Sequence, residues 1–203
     1  MRIRNCGVLT VLAVAWTAAP AQAQWVISPY FGINLAGDAE FRRGGPGGSV
    51  GFFGGRLGFE FDVERYNHFF KDENVDLVPN NCRPNVVDPT GCIDLNTDAW
   101  SFMGNAVALF RSKGATWRPY GAAGLGVIHA RIEGPGDQYD VGQNNPAFNV
   151  GGGVIYSLNN RVGLRGDLRY CRAFVDEDKR EGGYFRDYGF VRATFGVTFG
   201  FPR

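Results

Sequence analysis

From Gly189 to the C-terminus, apolar and polar positions alternate one by one. Val191, Ala193, Phe195, Val197, Phe199 and Phe201 occupy one parity, and Phe190, Arg192, Thr194, Gly196, Thr198 and Gly200 the other. Alternation with period two marks a strand with two unlike faces. Residues 57–66 repeat it, with Leu57, Phe59, Phe61 and Val63 against Gly58, Glu60, Asp62 and Glu64. Residues 161–170 do so again, setting Val162, Leu164, Leu168 and Tyr170 against Arg161, Arg165, Asp167 and Arg169. Along the whole chain this pattern predicts eight strands, at about 25–35, 48–55, 57–66, 98–111, 118–131, 146–158, 161–174 and 187–201.

Several of these segments reach about ten residues, the length of a membrane-crossing strand. The connections alternate too. Those after the first, third, fifth and seventh strands run about 36–47, 67–97, 132–145 and 175–186, while those near Arg56, Ser112–Trp117 and Asn159–Asn160 are short. Long loops outside and tight turns in the periplasm belong to outer-membrane barrels. The expected fold is therefore all-β, an eight-stranded antiparallel up-and-down transmembrane β-barrel. A sheet in hydrocarbon must close on itself to satisfy its edges, and it turns its apolar face to lipid. That places Glu60, Asp62 and Glu64 in the lumen with Arg165, Asp167, Arg169 and Arg192, where opposite charges are expected to pair into a plug.

The N-terminus changes how the rest is read. Arg2 and Arg4 precede an apolar stretch from Val8 to Ala19, and Ala21-Gln22-Ala23 supplies the small residues of a cleavage site. This is the layout of a secretory signal peptide, residues 1–23, leaving the barrel as residues 24–203. The apolar stretch of twelve residues falls short of the roughly 20 that a membrane helix needs.

Charge is nearly balanced, with 21 Lys and Arg against 20 Asp and Glu, two of the arginines lying in the signal. No basic excess exists to hold nucleic acid, and no nucleic-acid partner is expected. Export to an oxidising compartment favours a disulfide between Cys82 and Cys92. By chain entropy such a short bridge contributes on the order of 2–3 kcal/mol. A metal site would call for more Cys or His than this segment offers. Cys171 is left as a buried, inert thiol.

Glycines inside the strands, including Gly151–Gly153, read as relief of crowding in a tightly curved barrel, since they lack the context of a phosphate-binding loop. Aromatics are expected in two belts at the headgroup levels. Trp25, Phe110, Trp117, Tyr120, Tyr156, Phe199 and Phe201 fall at the periplasmic ends. Tyr66, Phe69, Phe70, Trp100, Phe148, Tyr170, Phe174, Tyr188 and Phe190 fall at the outer ends.

Several runs resemble one known family: Trp25 to Gly32, Gly58 to Asp62, Arg118-Pro-Tyr-Gly121, Asn149 to Gly153, Val162 to Tyr170, and Arg192 to Phe201. They are similar to the small outer-membrane β-barrels related to the membrane domain of outer membrane protein A, the opacity-type porin-like barrels. The resemblance spans essentially the whole mature chain. It implies a bacterial outer-membrane location, outer-membrane lipid around the barrel and the barrel-assembly machinery as a partner in biogenesis. Such barrels commonly end on an aromatic residue, whereas Phe201 is followed here by Pro202 and Arg203.

Chemistry-bearing constellations are sparse. His68 lies beside a predicted outer loop with Asp72 and Glu73, but without a matching nucleophile. For His129, near the outer end of the fifth strand, an interior carboxylate such as Asp62 or Glu64 is a candidate partner, a structural role. The acidic residues of the 67–97 loop lack the spacing of an EF-hand. No cofactor, metal or catalytic residue is therefore expected. The leading reading is a non-enzymatic structural or surface-interaction protein acting through its loops on a host surface, another cell or an envelope partner. A narrow channel for small solutes is the alternative, followed by an outer-leaflet lipid-modifying enzyme and a soluble lipocalin-type barrel.

Overall fold

A computed structural model of the chain describes residues 24–69, 96–110, 115–133, 140–175 and 187–200. The expected signal peptide and the expected Cys82–Cys92 disulfide lie outside the described residues, as do Asp72, Glu73, Phe70 and Phe201. Eight strands follow one another: β1 (Gln24–Gly37), β2 (Gly44–Gly54), β3 (Leu57–Asn67), β4 (Asn96–Leu109), β5 (Trp117–Glu133), β6 (Asp140–Ser157), β7 (Val162–Ala173) and β8 (Tyr188–Phe199). Each pairs antiparallel with the next, and β1 pairs with β8, so the sheet is a closed barrel. Closure leaves no strand edge unpaired in the membrane.

Two strands begin four or more residues earlier than the pattern predicts. β2 starts at Gly44 and β6 at Asp140, so the connections after β1 and β5 shrink to residues 38–43 and 134–139. The Gly44-Gly45-Pro46-Gly47-Gly48 run has no apolar alternation and reads as a loop in sequence. In space its bareness lets β2 lie close to its neighbours. A Cβ on Gly44 would strike the Gly32 carbonyl, and one on Gly47 would strike the Tyr30 ring.

The faces divide as parity dictates. Trp25, Ile27, Phe31, Leu57, Phe59, Phe61, Leu125, Leu168 and Phe195 stand exposed on the outside, the composition of a lipid-facing band. The lumen is filled in three layers. At the periplasmic end Val26, Phe53, Val107, Leu109, Tyr120, Ala122 and Ile155 form an apolar cluster. At the outer end Tyr66, Phe69, Met103, Ile128, Tyr188 and Phe190 lead a second one, which includes the free thiol of Cys171. Charged side chains lie between.

The outer cluster corrects part of the expected aromatic belt. Tyr66, Phe69, Tyr188 and Phe190 point inward and close the mouth of the barrel. Phe69 packs at 5.1 Å from the Tyr66 and Phe190 rings and 5.7 Å from Tyr188. Tyr120 is likewise a lumen residue. The belts that remain outside include Trp25 against Phe52 and Trp117 against Tyr156 below, with Trp100 on Phe102 and Phe148 between Tyr170 and Phe174 above.

Candidate functional site

The charged layer is assembled from three strands. Period two along β3 sends Glu60, Asp62 and Glu64 inward in succession, while β7 contributes Arg165, Asp167 and Arg169 and β8 contributes Arg192. None of the seven is more than 8% exposed. β3 and β7 are four strands apart by either route around the barrel, so their side chains meet across its diameter. Only long side chains span that distance, which is a physical reason for arginine on the β7 wall.

Arg165 donates through both terminal nitrogens to Glu60, its Nη2 reaching Oε1 at 3.0 Å, and the same nitrogen meets Asp167 at 3.0 Å. Its Nε donates to the Tyr120 hydroxyl at 2.7 Å, and that hydroxyl donates to Asp167 at 2.7 Å. Arg169 bridges Glu60 at 2.9 Å and Asp62 at 3.1 Å. Arg192 donates to Asp62 at 3.1 Å, to Glu64, and to the Tyr66 hydroxyl at 3.1 Å. Asn105 adds a donor to Asp62 at 2.5 Å, and Tyr30 lies 3.4 Å from the same carboxylate. Glu60 thus joins Arg165 to Arg169, and Asp62 joins Arg169 to Arg192, in one continuous chain of charges.

This arrangement is a brace. Removing one partner from a buried, paired charge network strands the others without water, a cost of roughly 3–5 kcal/mol. An eight-stranded barrel is just wide enough for its own side chains to fill, and here apolar clusters cover the charges at both ends. Parity alone points to Tyr30, Asn105 and Tyr120 as members, since they share the lumen parity of their strands. Their contacts, however, depend on which strands closure sets opposite one another.

The histidines lie elsewhere. His129 faces outward and bonds Asn144 at 2.7 Å, not Asp62 or Glu64, because its neighbours Ile128 and Ala130 take the inward positions on β5. His68 follows β3 with left-handed backbone, φ 52°, a turn that sets up Phe69 to enter the mouth. It lines a cleft with Asp98 and Arg65, among whose described lining residues there is no serine, threonine or cysteine to act as a nucleophile.

A closed barrel with an apolar exterior, a packed polar interior and eight antiparallel strands defines a β-barrel protein of the bacterial outer membrane. The chain belongs to the family described as outer membrane protein beta-barrel domain, whose profile matches residues 8–201. The barrel is similar to a major outer membrane protein of Thermus thermophilus, with TM-score 0.59 and 16% identity over 88% of this chain and 99% of that one. It is also similar to Neisserial surface protein A, with TM-score 0.54 and 18% identity over 88% and 96% of the two chains. The N-terminal β-barrel domain of Pseudomonas aeruginosa OprF gives TM-score 0.52 and 20% identity over 89% and 98%. At these identities the likeness is one of fold. No curated protein matches the sequence.

Proposed function

We propose that the barrel is a non-enzymatic anchor in the outer membrane, presenting its outer connections to another surface, whether a host, a second cell or an envelope partner. The observation that carries this reading is the filled lumen. Seven buried charges tie β3 to β7 and β8, and apolar clusters seal both ends. The interior is occupied in holding the barrel together, so the connections on the outer side are where interaction falls.

The test is deletion of residues 70–95 and, separately, of 176–186, with barrel integrity followed by the mobility difference between boiled and unboiled samples. Cells carrying either deletion are expected to lose adhesion or an envelope-integrity phenotype while the barrel stays folded. Folded deletions with every such phenotype intact would sink the proposal. The channel alternative calls for conductance in planar bilayers that rises when Arg165 or Glu60 is neutralised, whereas the anchor is silent in both forms. The enzyme alternative calls for a lipid A mass spectrum altered by overexpression and restored by His68→Ala.

A further inference from the structure

One basic cleft opens on the outside wall of the barrel, at its outer rim. It encloses about 440 Å³ between Phe31, Arg42, Arg43, Arg65, His68 and Asp98. Arg65 shares the outward parity of Phe59 and Phe61 on β3, so it emerges on the lipid side just above the apolar band. Arg42 and Arg43 belong to the connection after β1, and His68 begins the connection after β3. Both connections lie on the outer side, so the cleft sits where hydrocarbon gives way to headgroups.

Two independent features single it out. Arg42 and His68 are the two non-glycine residues with positive φ among the described ones, 62° and 52°, and both line this cleft. Left-handed backbone is unfavourable for a residue with a Cβ. At His68 it turns the chain so that Phe69 enters the mouth, and at Arg42 it stands at the cleft itself, as such strain does at ligand clamps. The second feature is charge. Arg65 is paired with Asp98 at 2.9 Å and Arg43 with Glu40 at 3.4 Å. Arg42 stands 5.1 Å over the Phe41 ring and has no carboxylate partner among the described residues. Three guanidiniums therefore face two carboxylates, and the surplus is held beside exposed Phe31.

We propose that this cleft binds the phosphate of an acylated, phosphorylated glycolipid of the outer leaflet, Arg42 and Arg65 holding the phosphate and Phe31 lying along an acyl chain. The arginine fork matches phosphate oxygens in pairs. A soluble anion would use the guanidiniums alone, whereas a phosphorylated lipid uses the aromatic floor as well. The site lies outside residues 70–95 and 176–186, whose deletion tests the adhesive reading; it takes Arg42 and Arg43 from the end of the connection after β1 and His68 from the start of the connection after β3.

The mature barrel, refolded in detergent micelles, is titrated with bisphosphorylated lipid A, with the same lipid dephosphorylated, and with inorganic phosphate. Bound lipid is read by native mass spectrometry. Bisphosphorylated lipid A is expected to bind about tenfold more tightly than its dephosphorylated form, the worth of one charge-assisted contact. Arg42→Gln and Arg65→Gln each weaken it by about the same factor. Arg172→Gln, at the rim on the opposite wall beside Phe174, leaves it unchanged. Equal affinity for the two lipids, a comparison made on the unaltered chain, overturns the proposal. So does an equal loss in Arg172→Gln, which would mean diffuse attraction to a basic rim. Inorganic phosphate bound as tightly as the lipid would overturn the lipid assignment in favour of a free-anion site.

Discussion

The lumen and the lipid-facing surface are made by the same strands, residue by residue in alternation, yet they obey opposite rules. On the outside, Phe59, Phe61, Leu125 and Phe195 need only be apolar, because hydrocarbon makes no directional demand. Inside, Glu60, Asp62, Arg165 and Arg169 each have two or more named partners at hydrogen-bond distance. One surface tolerates any residue of the right polarity, and the other accepts few changes at all. The difference teaches that, across the membrane band, constraint on residue choice falls on the wall that meets neither solvent nor lipid.

The sharpest break of that contrast is Arg169→Ala. It leaves Glu60 and Asp62 short of a partner across the lumen and is expected to cost roughly 3–5 kcal/mol, read as a lower urea midpoint for unfolding from lipid vesicles. Next comes Phe195→Arg on the outer face, 65% exposed, at roughly 2–4 kcal/mol if the guanidinium is held near midplane. Refolding yields indistinguishable from the unaltered chain would mean that the faces are exchanged. A smaller effect belongs to Gly32→Val, whose Cβ would meet the Glu64 carboxyl group. Overpacking of this kind costs about 1–3 kcal/mol, and the same unfolding curves should show it. Smallest of all is Phe195→Leu, expected within about 0.5 kcal/mol of the parent. A shift comparable to that of Gly32→Val would show that the outer face is as particular as the inner one.

Strand number, order and facing were legible because period-two alternation survives in β3, β7 and β8, where charged and apolar residues differ most. It fades in β2, where glycine occupies both parities, and there alternation does not mark the start at Gly44. Tyr188 and Phe190 show a different failure. Their parity matches Arg192 and Thr194, which sends them inward, but aromatic character near a strand end suggested a belt. Here position outweighed residue type. Membership of the charged layer followed from parity, whereas its pairings did not. Arg165 and Glu60 are 105 residues apart, and nothing local in either segment encodes the diameter across which they meet.

That separation along the chain has a consequence for any incomplete barrel. The hairpin of β2 and β3 carries three lumen carboxylates, and the guanidiniums that neutralise them arrive only with β7 and β8. Strands β1 to β6 on their own would bring those carboxylates to membrane depth without their counter-charges. The final hairpin acts as a latch, and a chain cut before Val162 lacks the counter-charges that would let it rest in the bilayer.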